Sequence, residues 1–393
     1  MFDHGRYDVL VVGARCAGAA TAMLMARRGL KVLLIDSARY GTDTISTHAL
    51  MRGGVIQLHR WGLLPRIVAA GTPAVRSTEF HYGDDVLAVE IRPQHGVDAL
   101  YAPRRNLLDT ILVDAAQAAG AEVRHGCSLT ELVHRPDGRV VGGVIRDSDG
   151  RSRAIAANLV VGADGIGSSV ARFTGARLLW EARHATALVY GHCIGLDANA
   201  YRWFYREGVS AGVAPTNGGA HCVFVAVPPA RFRDEIRFDI AVGYRRALAE
   251  VSRSLAADVA ASRFTAGLSV FAGRRGFLRQ AWGSGWALVG DAGYFKDPLT
   301  AHGMTDALRD AELLAAAAVQ GSTTAFAAYA EQREELSRSL FAVTDAIASF
   351  DWNLDTVRLW HIELNMAMKH EAEFLAGLHL PQSQSQYEQE KAA

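Results

Sequence analysis

Short apolar runs separated by helical stripes set the pattern of this chain. Residues 7–12 (YDVLVV) read as a strand buried on both faces, and residues 31–35 (KVLLI), ending at Asp36, as a second. Between them, residues 17–28 read as an Ala-rich helix closed by Gly29. This is a complete strand–helix–strand unit at the start of the chain. Residues 105–119 read as a helix with Leu108, Leu112 and Ala116 on one face. Residues 121–134 and 139–147 alternate like strands and are joined by the turn Pro136–Asp137–Gly138. Residues 158–163 and 286–290 are further buried strands, each running into an Asp. Residues 185–227 carry strand-like runs that suggest an antiparallel sheet inserted between the other segments. From residue 303 the pattern is helical to about residue 375, and the polar tail after Pro381 is expected to be disordered.

Composition narrows the function classes. A chain of 393 residues predicts two or three domains at about 100–200 residues each. Lys+Arg and Asp+Glu are both 41, so no basic excess points to nucleic acid or an anionic membrane. The four cysteines are far apart, with no zinc or disulfide spacing, which fits reducing cytosol. Asp3, Arg6 and Asp8 precede the first apolar run, against a signal peptide. No apolar stretch reaches the roughly 18 residues of a membrane span.

Three segments carry chemistry. The first, Gly13-Ala14-Arg15-Cys16-Ala17-Gly18, lies between a strand and a helix, where a dinucleotide fingerprint must lie. Gly13 allows the tight turn, Gly18 lets helix and strand pack closely, and Asp36 at the next strand end suits ribose hydroxyls. Free N–H groups at the helix start suit a pyrophosphate. Arg15 stands where the second glycine is usual, and its guanidinium is free to pair with a phosphate. Cys16 reads as a small apolar packer. The second segment, Gly162–Arg172, places Asp164-Gly165 at a strand end before serines, which equally suits a helix cap. The third joins Gly290-Asp291-Ala292-Gly293-Tyr294-Phe295-Lys296-Asp297-Pro298 to Ala301-His302-Gly303-Met304 and a helix. A strand-end carboxylate followed by a helix start forms a two-part ligand clamp.

In this order and at these distances, the three segments resemble the FAD-dependent group A monooxygenases, the para-hydroxybenzoate hydroxylase-like family, over residues 7–320. The resemblance implies an α/β fold: a three-layer, glutathione-reductase-like Rossmann domain for FAD, an inserted antiparallel β-sheet substrate domain, and C-terminal helices. Residues 1–75, 101–180 and 273–320 would form the FAD domain. Residues 76–100 and 181–272 would form the substrate domain, with C-terminal helices at 321–380 and the tail at 381–393. Gly13, Arg15, Cys16, Ala17, Gly18, Asp36 and Ser37 would hold the ADP half of FAD. Arg105 would lie near the flavin, the backbone of Leu129 at the adenine, and Asp164 beside both FAD and NAD(P)H. Gly290 and Asp291 would meet the ribityl chain. Pro298, Ala301, His302, Gly303 and Met304 would lie along the isoalloxazine. Family members often carry histidine at Tyr294, glycine at Ala301 and asparagine at Thr305.

The implied chemistry is oxygenation. FAD reduced by transient NAD(P)H, or by a separate reductase, reacts with O₂ to form a C4a-hydroperoxide. That species hydroxylates or epoxidises an aromatic, polyketide-like or alkene small molecule. The candidate catalytic residues are His48, Arg52, Tyr294 and His302, with no metal. His48 is read as orienting substrate or flavin, or as a polar loop residue. Arg52 is read as holding an anionic substrate or an NAD(P)H phosphate. Trp203 and Tyr205 share a face, either over the flavin or in a core. The aromatic stripe in Phe341–Phe374 is read as core or homodimer contact. The related flavin halogenases and geranylgeranyl reductases supply the alternatives. The chain has neither a W-x-W-x-I-P nor a Cys-Gly-Gly-Gly stretch, and Ser46–Gly54 occupies the latter region. A flavin-fold binding protein without chemistry is disfavoured by Asp36, Asp164 and Asp291.

Overall fold

Strands Tyr7–Val12 and Val32–Asp36 lie parallel in the computed structural model, which describes residues 6–378. Ser152–Gly162 flanks the first in parallel, Glu122–His125 flanks the second, and Trp286–Leu288 adds beyond Ser152–Gly162. Leu10, Val11, Leu33 and Leu34 are fully buried, as expected for a parallel sheet covered on both faces. The helix Cys16–Ala26 packs on this sheet and is buried all round. Its small alanines let the helices Arg105–Ala118 and Gly303–Gln320 close on it.

Two sequence-predicted strands divide differently. The run 121–134 breaks at Gly126–Cys127, with Gly126 at φ +71°. Glu122–His125 serves the parallel sheet, whereas Ser128–His134 pairs antiparallel with Val140–Arg146. The strand expected at 158–163 begins at Ser152, because its first half pairs antiparallel with Val140–Arg146 and its second half joins the parallel sheet.

A second sheet takes its strands from Ser77–Tyr82 and Asp85–Glu90 and from the stretch 187–271. Its pairs are antiparallel except Tyr201–Arg206 beside Ser77–Tyr82. One face buries Val189, Val213, Val223 and Val225 together with Tyr244 and Leu248 of the helix Ile240–Val251. The other face carries Leu188, Tyr190, Trp203, Tyr205 and Phe224. Trp203 and Tyr205 therefore belong to a core shared with Leu340, Phe350, Trp352 and Leu364 of the C-terminal region.

The helical run from residue 303 is three helices: Gly303–Gln320, Thr323–Ile347 and Leu354–Gly377. Gly321 in the left-handed conformation ends the first, and Ser322 and Asn353 cap the next two. No described helix is long and apolar enough to cross a membrane. The expected disordered tail lies outside the described residues.

Candidate active site

The parallel strands end at one cavity. Val12 runs into Gly13, Asp36 into Ser37, Gly162 into Ala163 and Asp164, and the strand ending at Leu288 into Asp291; Gly13, Ser37, Ala163, Asp164 and Asp291 all line it. Crevices outside the carboxyl ends of parallel strands are where open α/β sheets bind ligands. The cavity measures about 740 Å³, within the roughly 300–1,000 Å³ of cofactor and small-molecule pockets.

The first segment forms a tight cradle. Gly13 has φ +102°, and a Cβ there would sit 2.4 Å from the Ala163 carbonyl oxygen. A Cβ on Gly18 would sit 1.7 Å from the Gly13 carbonyl oxygen, so helix and turn touch without room for a side chain. Asp36 Oδ2 accepts from the Ala14 N–H at 2.6 Å and Oδ1 from the Ala38 N–H at 2.7 Å. Asp36 thus braces the turn as well as lining the cavity. No side chain caps the helix Cys16–Ala26, so its first N–H groups remain for a ligand.

The Arg15 guanidinium turns toward the Thr42 carbonyl and pairs with Asp109 at 3.3 Å. Its side chain is engaged by protein, while the residue lines the cavity. Asp109 also accepts from Cys16 Sγ at 3.2 Å and from Arg105 Nη2 at 3.1 Å. Burial pushes the Cys16 thiol well above its ordinary range. Arg105, Leu129 and Asp164 all line the cavity. Asp164 accepts from Ser168 Oγ at 2.5 Å and from the Ser169 N–H at 2.6 Å, bracing the start of the helix Ser169–Thr174. Burial raises its carboxyl despite those bonds.

At the opposite end, burial raises Asp291 to about 7 while Arg105 pulls it down. Asp297 accepts from the Thr186 N–H at 2.6 Å and the Leu299 N–H at 3.0 Å, tying the loop to the second sheet. Ala301 has φ +51°, the left-handed region that favours glycine. Pro298, Ala301, His302, Gly303 and Met304 line the cavity, with His302 capping the helix Gly303–Gln320. His302 Nε2 bonds Glu371, and its Nδ1 has no protein partner. His48, at φ +66°, also lines the cavity. Its Nε2 meets His192 Nε2 at 2.8 Å and its Nδ1 has no partner. Burial, then its neighbours His192 and Arg104, lowers His48 to about 3.

Four sequence candidates do not line the cavity: Gly18, which serves the helix–turn contact, and Arg52, Tyr294 and Gly290. Arg52 begins the helix Arg52–Arg60, and its guanidinium donates to the Arg92 carbonyl at 3.0 Å. Tyr294 faces the opposite side of its short strand from Phe295; its ring packs on Phe341 and its hydroxyl donates to the Ser337 carbonyl at 3.4 Å. Gly290, at φ +55°, packs against Ala17 and Ala307 and donates its N–H to Asp310. Sequence reading missed Lys296, Tyr190 and Phe271 as lining residues, and His192 and Glu371 as the partners of His48 and His302. Lys296 stood within the third motif; the others have no local signature.

His302, Asp306 and Glu371 lie close enough to share a cation. Asp306 is already paired with Lys296 and Arg309, and Glu371 with Arg309. The donor set fits FAD better: a braced carboxylate at a strand end, an uncapped helix start, and imidazole nitrogens left free beside a loop–helix junction.

The sequence profile of the FAD binding domain family matches residues 6–344. A digeranylgeranylglycerophospholipid reductase of Methanothermobacter thermautotrophicus is 30% identical over 49% of this chain and 48% of its own length. The chain spans less than half the length of several curated relatives that it matches. A menaquinone reductase of Mycolicibacterium smegmatis is 26% identical over 81% of this chain and 78% of its own. The crystal structure of a probable FAD-dependent monooxygenase from Pseudomonas aeruginosa superposes with TM-score 0.75 at 20% identity, covering 91% of this chain and all of that one. The chain is thus a member of the FAD binding domain family.

Proposed function

We propose that this flavoenzyme is a monooxygenase that hydroxylates or epoxidises an electron-rich aromatic, polyketide-like or alkene small molecule. The observation that carries this reading is the second wall of the cavity. Leu188, Tyr190 and Phe271 of the second sheet face the loop Phe295–Met304 and the His48 loop, forming an apolar, aromatic chamber beside the cofactor end. Such a chamber suits an apolar ring or alkene and keeps water away from it.

FAD, when bound, would supply the redox chemistry with O₂ after reduction by NAD(P)H or a separate reductase. Asp36 and the uncapped helix start would hold the ADP half, with Arg105, Asp164 and Asp291 along its length. The N–H groups opening the helix Gly303–Gln320 would face the ring and favour negative charge there. Tyr190 accepts from the Ser46 N–H at 3.0 Å and fixes the His48 loop over the chamber. His48 offers an unpartnered nitrogen for a substrate hydroxyl or carbonyl.

A second reading, reduction of an isoprenoid double bond, rests on the similarity to the menaquinone and digeranylgeranylglycerophospholipid reductases. Against it, the Ser46–Gly54 segment carries no cysteine, and the two cysteines that line the cavity are Cys16, in the first motif, and Cys127, before Leu129. The test is turnover of the reduced holoenzyme under ¹⁸O₂ with aromatic and prenylated probes. One labelled oxygen in the product supports the monooxygenase. Saturation of an alkene without oxygen uptake supports the reductase and sinks the first reading.

A further inference from the structure

Behind the loop 296–303, three helices enclose charges that water does not reach. His302 is 1% exposed, Asp306 2%, and Arg309, Asp310 and Glu371 0%. Each contact has a direction. Lys296 Nζ pairs with Asp306. Arg309 reaches Asp306 at 3.1 Å, Asp310 at 2.9 Å and Glu371 Oε1 at 2.7 Å. The other oxygen of Glu371 has one neighbour, His302 Nε2.

A carboxylate only accepts, so the contact places a proton on His302 Nε2. His302 and Arg309 together hold the Glu371 carboxyl down at about 2, against the upward pull of burial, so it is ionised. An ionised carboxylate with no water is stable only when opposed by positive charge, which Arg309 supplies at Oε1. His302 Nδ1, the other ring nitrogen, is buried without a protein partner, and the residue lines the cavity.

We propose that Glu371, on the last helix, is a positioning residue that fixes the ring of His302, so that His302 Nδ1 bonds to bound FAD and favours its reduced form. The charges around His302 come from every packed element. Asp306, Arg309 and Asp310 lie on its own helix, Lys296 and Asp291 on the preceding segment, and Glu371 on the helix Leu354–Gly377. Arg333 stands beyond Asp310, and Arg105 faces Asp291. Lys296 and Arg309 are paired with Asp306 and Asp310, and Glu371 is the carboxylate that contacts His302 itself. Residues beyond the ends of the cofactor motifs thereby reach the flavin ring through one imidazole. This inference rests on the FAD reading of the cavity.

The test is the two-electron midpoint potential of FAD in the holoenzyme, measured for wild type, Glu371→Gln, His302→Gln and the double variant. Each single variant is expected to lose at least tenfold of its preference for reduced over oxidised FAD, a fall of about 30 mV. The double variant is expected to fall no further than His302→Gln, because Glu371 acts through His302. A wild-type potential in Glu371→Gln, or additive falls in the double variant, overturns the proposal. Should Glu371→Gln fail to take up FAD, His302→Gln decides: an unchanged potential overturns the proposal, and a tenfold loss supports it. Wild-type protein that takes up no FAD sinks the cofactor reading and this inference together, whereas bound FAD with unmoved potentials sinks this inference alone.

Discussion

His48 and His192 meet nitrogen to nitrogen, Nε2 to Nε2 at 2.8 Å, across the junction between the loop after the second strand and the second sheet. One nitrogen must donate and the other accept, so the contact forms only while at least one ring is neutral. Burial lowers His48 to about 3 and His192 to about 4.

This pair sets a pH dependence. The unfolded chain binds a proton at His48 below about pH 6.5, and the folded chain binds none there until about pH 3. Folding is therefore opposed as pH falls through that window, by up to about 1.4 kcal/mol per unit. Asn tolerates the positive φ of residue 48, so His48→Asn removes this titration with little backbone cost. At pH 7.5 the variant is expected to be less stable by about 1 kcal/mol through loss of the His192 bond. Between pH 6.5 and 5.5 the gap should close or reverse, as read from urea midpoints. A gap that widens as pH falls contradicts the assignment of neutral imidazoles.

Asp36 combines two tasks that one substitution can separate. Asp36→Ala removes the acceptor of the Ala14 and Ala38 N–H groups, costing about 1–3 kcal/mol of apoprotein stability. It should also weaken FAD binding, because a ribose acceptor disappears. Asp36→Asn keeps an acceptor and should fall between. Urea denaturation of the apoprotein and fluorescence titration with FAD measure the two losses. Wild-type values for Asp36→Ala in both would remove this residue from the site.

The four cysteines are free and buried. Burial raises Cys16, Cys127, Cys193 and Cys222 alike above the ordinary thiol range. Native protein is expected to react slowly with a chromogenic disulfide reagent at pH 8, and guanidinium-unfolded protein to release all four equivalents rapidly. Fast labelling of Cys16 in the native state would contradict its burial against Asp109.

The strand-end part of the candidate site is legible in the sequence because its residues are local. Gly13, Asp36, Asp164 and Asp291 each stand at a strand terminus, and the strands are short apolar runs that announce themselves. The partner residues were not legible. His192 lies 144 positions from His48, and Glu371 lies 69 from His302; no periodicity links such pairs. Two misplacements were errors of facing. Tyr294 and Phe295 are neighbours on a strand, so the cavity receives only Phe295. Arg52 stands at a helix start whose buried side holds Gly53 and Gly54, packed against Thr305 and Leu50, and its guanidinium extends away to Arg92. Ala301 shows the reverse case: its left-handed φ explains why glycine is common there in the resembled family.

Gly303 tests where the flavin ring lies. It opens the helix Gly303–Gln320 and lines the cavity, and a Cβ there would meet only Asp291 Oδ1 at 4.0 Å. A side chain is therefore accommodated by the protein alone and projects into space that a cofactor would fill. Gly303→Val should change apoprotein stability by no more than about 0.5 kcal/mol, as for a substitution without clash. Its FAD affinity should fall tenfold or more, about 1.4 kcal/mol, with Gly303→Ala intermediate. Gly267, where a Cβ would meet nothing within 4 Å and which does not line the cavity, serves as control: Gly267→Val should leave FAD affinity unchanged. Calorimetry of the apoproteins and titration with FAD separate the two effects. If Gly303→Val binds FAD as tightly as wild type, the ring does not lie against this loop, and the helix start cannot be the group that favours its negative charge.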